Sequence, residues 1–333
     1  MTKTQDVGTL DWKTITPLPE NKWEPACAVV DGKWYVFGGY THEGGYPSPF
    51  EDMGSSRTSY IFDPEGQTWT RMQDMPSALN HVNIVIDGRK LWYAGGVKDM
   101  AIGKSMGGKD HVIAEVWCYD IDLDRFIAAP LLPERRWGGG LALVGRNLHY
   151  ISGCKEDRDT DAEDHWVFNL DDWANGSAQW TSAAPAPDPR NQGSFVVFHG
   201  EIYFISGQYN HDSQQLDQTR TDIYNPESDS WRIGPSVPVP HSHSEGATFV
   251  HDDHVYMIGG HDTPEGETKM PTDHVLRLAH GGEWEIIGRL PRPTSSPAAR
   301  IIDGKLYVAG GFGQNEEDAW KLKTDVWVTD VPK

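Results

Sequence analysis

Residues 26–39 read ACAVVDGKWYVFGG, and residues 298–311 read AARIIDGKLYVAGG. The two stretches share one grammar: an apolar run, Asp-Gly, a second apolar run carrying an aromatic, then Gly-Gly. Asp31-Gly32 and Asp303-Gly304, with Asp87-Gly88 between them, predict two-residue hairpin turns, because glycine accepts the positive φ such turns demand. A diglycine at the end of a strand predicts a place where another backbone approaches too closely for a side chain. Residues 59–69, SYIFDPEGQTW, then predict a third strand, a tight turn and a fourth strand. The Trp of that fourth strand fills space between neighbouring units, a large apolar payload for one residue.

The pattern recurs along the whole chain. Diglycines stand at Gly38-Gly39, Gly95-Gly96, Gly259-Gly260 and Gly310-Gly311, with weakened copies at Gly153-Cys154 and Gly207-Gln208. The steps between first glycines are 57, 58, 54, 52 and 51 residues. The closing aromatics are Trp69, Phe126, Trp180, Trp231 and Trp284, with Trp12 ahead of them. Self-similarity at such a period is the mark of a propeller of four-stranded antiparallel blades. The expectation is an all-β, six-bladed β-propeller occupying residues 1–333 as one domain. After the sixth diglycine a third strand is expected over Thr324 to Thr329, and no fourth strand with its Trp follows. The orphan Asp11-Trp12 lies before the first blade, so residues 8–18 are expected to complete the last one. That closure hides edge strands that would otherwise invite pairing with another chain.

Composition narrows the function. The chain has 333 residues, with 29 Lys plus Arg against 49 Asp plus Glu, a formal net charge of −20. Phosphate backbones and anionic membranes are bound by Lys and Arg, so neither nucleic acid nor membrane is an expected partner. No apolar run approaches the roughly 18 residues of a spanning helix. Met1 to Leu10 lacks the apolar core of a signal peptide, which leaves a cytoplasmic protein or the mature form of an exported one. Cys27, Cys118 and Cys154 form no disulfide framework, and Cys27 and Cys118 fall in strand-like runs expected to pack as buried thiols.

The repeat also gives the propeller a direction. With strands a to d running up and down, the a–b and c–d turns share one face, and both are short here. The b–c connections share the other face and are long: Tyr40 to Thr58, Val97 to Ala114, Cys154 to Asp164, Gln208 to Thr221, His261 to Thr272 and Phe312 to Thr324. Long loops inside a compact fold are usually functional. The starts of the a strands line the same funnel, and with them come the candidate site residues. Trp23, Trp137, Tyr40 and Tyr209 would stack on sugar rings, and Asn80 and Asn191 offer hydrogen bonds. Arg135, Arg136 and Arg190 would clamp a carboxylate through the guanidinium fork. Aligned on the a–b turn, Glu24 and Glu245 fall at equivalent positions, where a raised pKa would suit general acid–base work. The candidate catalytic set is Glu245, His243 and Arg136; the candidate binding set adds Glu24 and His81. His241 and His243 alternate with Glu245, which in extended chain puts all three on one face. Together with His81 and His211 the two histidines form a candidate site for a divalent metal. The acidic run Lys155 to Asp164 has cation-loop composition without the EF-hand order and is expected to be a solvated loop.

The multi-part repeat resembles the kelch family. Asn80-His81-Val82, Pro133-Glu134-Arg135-Arg136, Asp164-His165-Trp166, Pro189-Arg190-Asn191, Asn210-His211-Asp212 and Ser242-His243-Ser244-Glu245 resemble a bacterial group of galactose-oxidase-like propellers. Sialic-acid mutarotases are likewise six-bladed kelch propellers, and the resemblance to them implies sugar isomerisation. The Glu-x-x-x-Asp-x-x-x-His spacing of plant specifier proteins is missing. The leading expectation is therefore a propeller that binds a carbohydrate or small molecule at the long-loop funnel, with isomerase or mutarotase-like chemistry on a sugar or sugar acid. The alternatives are a protein-interaction scaffold and a metal-dependent lyase or isomerase.

Overall fold

Six four-stranded antiparallel sheets follow one another along the chain. The computed structural model describes residues 7–42, 53–98, 112–211, 216–263, 270–314 and 320–332. In blade one the strands a to d are Ala26–Val30, Lys33–Phe37, Ser59–Asp63 and Thr68–Arg71. The a strands of the next five blades are Val85–Asp87, Gly140–Val144, Ser194–Phe198, Thr248–His251 and Ala298–Ile302. Apolar runs in both a and b reflect strands covered on two sides, as expected where each sheet is sandwiched between two others. Trp34, Trp92, Leu148, Ile202, Val255 and Leu306, all on b strands, are buried.

The last blade is completed from the other end of the chain. Lys13–Thr14 pairs antiparallel with Val326–Asp330, in the register Lys13↔Val328 and Thr14↔Trp327. Flanking bonds extend the seam, with Ile15 N donating to Val326 O and Leu18 N to Thr324 O.

The closing aromatics do more than fill space. The indole N–H of Trp12 donates to Arg289 O, that of Trp69 to Thr16 O, that of Trp180 to Pro130 O and that of Trp231 to Ala184 O. Each acceptor lies at the end of the preceding blade. Four inter-blade seams are thus stitched by the same hydrogen bond; blade two has Phe126 at this place and lacks the donor.

The diglycine register shifts in two blades. The residue after each pair bridges back to the entry of its own a strand: Trp23↔Tyr40, Asn80↔Val97, Trp137↔Cys154, Asn191↔Gln208, Ser242↔His261 and Ser295↔Phe312. Cys154 and Gln208 therefore follow the pair, and the true equivalents are Ser152-Gly153 and Ser206-Gly207. Ser152 and Ser206 have φ of 59° and 53°, matching Gly38 at 55° and Gly95 at 65°. The repeat was legible there, one residue out of phase, because serine replaced the first glycine.

The b–c connections do not leave the blade as plain loops. Tyr40–His42 pairs with Met53–Ser55, Gln208–Tyr209 with Leu216–Asp217, His261–Asp262 with Met270–Pro271, and Phe312–Gln314 with Trp320–Leu322. Val97↔Val112 and Cys154↔Asp161 are single bridges at the same place. Each connection begins as a short ribbon standing on the long-loop face.

Candidate functional site

Two residues before each a strand, or slightly more, the chain turns through left-handed backbone. Glu24, His81, Gly138, Gln192, His243 and Ser296 have φ of 57°, 55°, 60°, 54°, 58° and 44°. Outside glycine such angles are uncommon and carry strain. Here a belt of backbone hydrogen bonds joins five of them around the axis. Glu24 N donates to Ser296 O, Ser296 N to His243 O, His243 N to Gln192 O and Gln192 N to Gly138 O, at 2.8–3.1 Å.

The side chains of this ring close the axis at the long-loop end. Glu24 Oε2 lies 3.0 Å from His81 Nε2, and Glu24 Oε1 lies 3.9 Å from His243 Nε2. His81 Nδ1 contacts Asn80 Oδ1, and Asn80 Nδ2 donates to Ser55 Oγ at 2.6 Å. The cavity enclosed by Glu24, His81, Gln192, Glu245 and Ser296 measures about 10 Å³, the scale of a single water. Small-molecule pockets run to roughly 300–1,000 Å³, so among the described residues the ring itself leaves no room for such a ligand.

The expected stacking platforms are largely covered. Trp23 lies between Tyr40 and Phe312, at 5.2 Å from each ring, and donates to Ser295 Oγ. Trp137 is fully buried, with Arg158 over its face at 4.7 Å and the edges of His81 and His211 at 4.8 and 4.5 Å. Arg158 comes from the acidic run, which is therefore packed at this point and solvated at Asp157 and Asp159. Tyr209 is half-buried and donates to Asp188; burial, then Asp188, pushes its phenol up to about 12.

The arginines separate into two kinds. Arg135 is exposed, with Glu156 at 2.8 Å. Arg136 is buried over the Trp166 ring, with Asp164 and Glu134 on Nη2. Arg190 is completely buried against Phe204; Nε donates to Ser206 O and Nη1 to Asp222. Arg136 and Arg190 hold equivalent places beneath the ring, as does Lys22, whose ammonium donates to Gly38 O and Thr58 O. All three pair with nearby carboxylates, and Lys22 and Arg190 also anchor carbonyls at the first place of the diglycine. Asn191 likewise donates to Asp161 Oδ1 at 2.5 Å and accepts from Gln208 Nε2. Burial pushes the Asp161 carboxyl up to about 6.

Three expectations need correction. First, His241, His243 and Glu245 do not share a face, because the chain is not extended there: His243 is left-handed and Glu245–Ala247 forms a 3-10 turn. His241 points under the ring, donating to Gly259 O at 2.6 Å, and burial pushes its imidazole down to about 4. Second, the metal quartet His81, His211, His241 and His243 is split. Among the described residues no group of three or more His, Cys, Asp or Glu is arranged to hold a metal ion. His211 packs on Trp137; Asp212 lies outside the described residues. Third, Glu245 is not the equivalent of Glu24. Blade five carries two extra residues in its 3-10 turn, so alignment on the a–b turn slips; the true counterpart of Glu24 is His243. Gln192 and Ser296, ring members with no distinctive chemistry, are not among the candidate site residues, although their spacing from the a–b turn places them in the ring.

The fold is a six-bladed propeller with a closed polar ring at the long-loop end of its axis. Its architecture is that of a kelch-type propeller. A family model described as Kelch motif matches residues 24–76. The chain is 23% identical to Kelch repeat-containing protein At3g27220 of Arabidopsis thaliana, over 96% of this chain and 76% of that protein. It is 26% identical to human Kelch-like protein 34, over 85% of this chain and 42% of that protein, and 22% identical to Kelch-like protein terF of Aspergillus terreus, over 90% and 64%. The chain thus spans under two thirds of the human and fungal relatives. The solved structure of YjhT superposes with a TM-score of 0.61 at 13% identity, over 78% of this chain and 81% of that one.

Proposed function

We propose that this propeller is a recognition module that binds a protein partner on the face carrying the long b–c connections. The observation that supports this reading is the closed axis. With about 10 Å³ inside the ring, the described residues of that face present ribbons and rim around a filled axis. The relatives point the same way: several are named Kelch-like, and vaccinia virus has a Kelch repeat and BTB domain-containing protein 1, 25% identical over 64% of this chain. Exposed acids on the blade-three connection, Asp157, Asp159 and Glu163, with Glu134 beside them, favour a partner segment rich in Lys and Arg. Such a partner is steered by charge, and its association weakens with salt.

A photo-crosslinking residue at Asp159, compared with one at Asp122 on the opposite face, tests this in lysate of the native host. A defined adduct from position 159, lost at high salt and absent from position 122, is the expected result. Adducts from position 122 alone would overturn the reading. The carbohydrate alternative makes a different demand: saturable sugar or sugar-acid binding on an array, abolished by Glu245→Ala and Tyr209→Ala. A metal-dependent reaction would further require stoichiometric metal in untagged protein.

A further inference from the structure

The other end of the axis is built differently. From the short-turn face a channel of about 360 Å³ runs up between the six a strands. Its wall includes Val29, Ile86, Leu143, Val197 and Val250, one side chain from each of five blades. Ile86 and Val250 are 43% and 41% exposed, so this end of the channel is open. The sixth blade contributes Arg300. Its guanidinium ties blade six to both neighbouring blades: Nη1 donates to Gly246 O at 2.9 Å and Ala299 O at 2.6 Å, and Nη2 donates to Cys27 O at 2.5 Å. Gly246 also lines the small compartment above, so Arg300 forms the inner end of the apolar channel.

Arg300 differs from the other buried arginines. Arg136 and Arg190 have carboxylates at hydrogen-bond distance. Among the described residues Arg300 has carbonyl acceptors and the Phe249 ring, 5.3 Å from Cζ, and no carboxylate in ion-pair reach. Of its five N–H donors, three are engaged, leaving one on Nη2 and one on Nε. A partly buried cation without an anion, at the end of an apolar tube of ligand size, is complementary to one chemistry. We propose that this channel binds an aliphatic monocarboxylate, its chain lying along the axis and its carboxylate on Arg300. This site lies on the opposite face from the protein-recognition surface and stands independently of it.

The test is calorimetric titration of the full chain with octanoate, decanoate and dodecanoate below their micellar concentrations, and with decanol. The expected result is saturable binding of one ligand, tightening about fourfold with each added methylene. Decanol should bind at least about tenfold more weakly, since it lacks the charge-assisted hydrogen bonds. Arg300→Gln should bring decanoate down to the level of decanol. Because Arg300 also ties carbonyls of the a strands, Val250→Trp serves as a second variant: at the exposed mouth it blocks entry without touching the guanidinium, and it should abolish decanoate binding in a protein that melts normally. No saturable binding of decanoate, equal binding of decanoate and decanol, or binding undisturbed by Val250→Trp would each overturn the proposal.

Discussion

At Gly153 an added methyl group would lie 2.6 Å from the amide nitrogen of Gly139 and 2.7 Å from Trp137 O, at a φ of 90°. At Gly39 it would lie 2.6 Å from Trp23 O, at a φ of 80°. All six blades have glycine at this second place, whereas the first admits Ser152 and Ser206. The reason is local. Ser152 Oγ donates to Arg190 O at 2.8 Å and accepts from Arg190 N, so its side chain takes over bonding across the seam. Gly153→Ala is therefore expected to destabilise by about 3 kcal/mol or more, combining left-handed strain and backbone collision. Ser152→Gly should lose only about 1 kcal/mol. Urea unfolding of both variants checks the contrast, and equal losses would contradict it. A second expectation concerns Arg190. Replacing it with Met keeps the bulk over Phe204 and leaves Asp222, 1% exposed, with Arg220 alone. A loss of about 3 kcal/mol is expected, with the loop-face adduct at Asp159 retained. If the melting temperature is unchanged and recognition is lost, Arg190 belongs to a ligand site after all.

At the scale of elements, the strands, most of the turns and the closure were readable because each is written in local chemistry: apolar runs, Asp-Gly, Trp; in blade two the turn is Gly88-Arg89, one residue on from the expected Asp87-Gly88. The candidate site was readable only in part. Glu24, His81 and His243 do converge on the axis, since they occupy one repeat position. Their relation to His241 and Glu245 was not legible, because it depends on a left-handed residue and a two-residue insertion that break strand alternation without a sequence signal. The channel was illegible for a different reason. Its wall is made of ordinary strand residues, and only the ring geometry brings Arg300 together with Val29 and Val250. The buried histidines have a measurable consequence. Burial holds His241 near 4 and His165 near 4, against 6.5 in the unfolded chain. Between those values the unfolded chain binds protons that the folded chain does not, so stability is full above about pH 6.5 and falls as the pH drops toward 4. For His241 alone the loss amounts to roughly 3 kcal/mol at the acid end. Melting temperature should fall steeply between pH 6.5 and 4, and His241→Gln, whose amide can still donate to Gly259 O, should flatten that slope. A slope identical to the parent's would rule out His241 as a contributor.

For the whole molecule, the ring is held shut by the seam between Lys13–Thr14 and Val326–Asp330, reinforced by the Trp12 indole on Arg289 O. The seam is small, yet everything topological depends on it: without it Val326–Asp330 becomes an exposed edge strand, and blade six loses its packing against the end of blade five. Removing residues 1–14 should therefore do more than lower stability by the energy of a few hydrogen bonds. It should lower the melting temperature by well over the ~1.5 °C that a single 1 kcal/mol change brings to a chain of this size. It should also produce concentration-dependent association through the uncovered edge. A synthetic peptide covering residues 7–18, added in trans, should restore both the melting temperature and the monomeric elution of the truncated chain, because it supplies the missing strand and the Trp12 donor together. The same peptide with Trp12→Phe keeps the strand and the ring but lacks the indole N–H, and should rescue with lower affinity. If the truncated chain melts like the parent and stays monomeric, the six blades hold their ring by inter-blade packing and the diglycine seams alone, and the N-terminal strand is an ornament of closure rather than its cause.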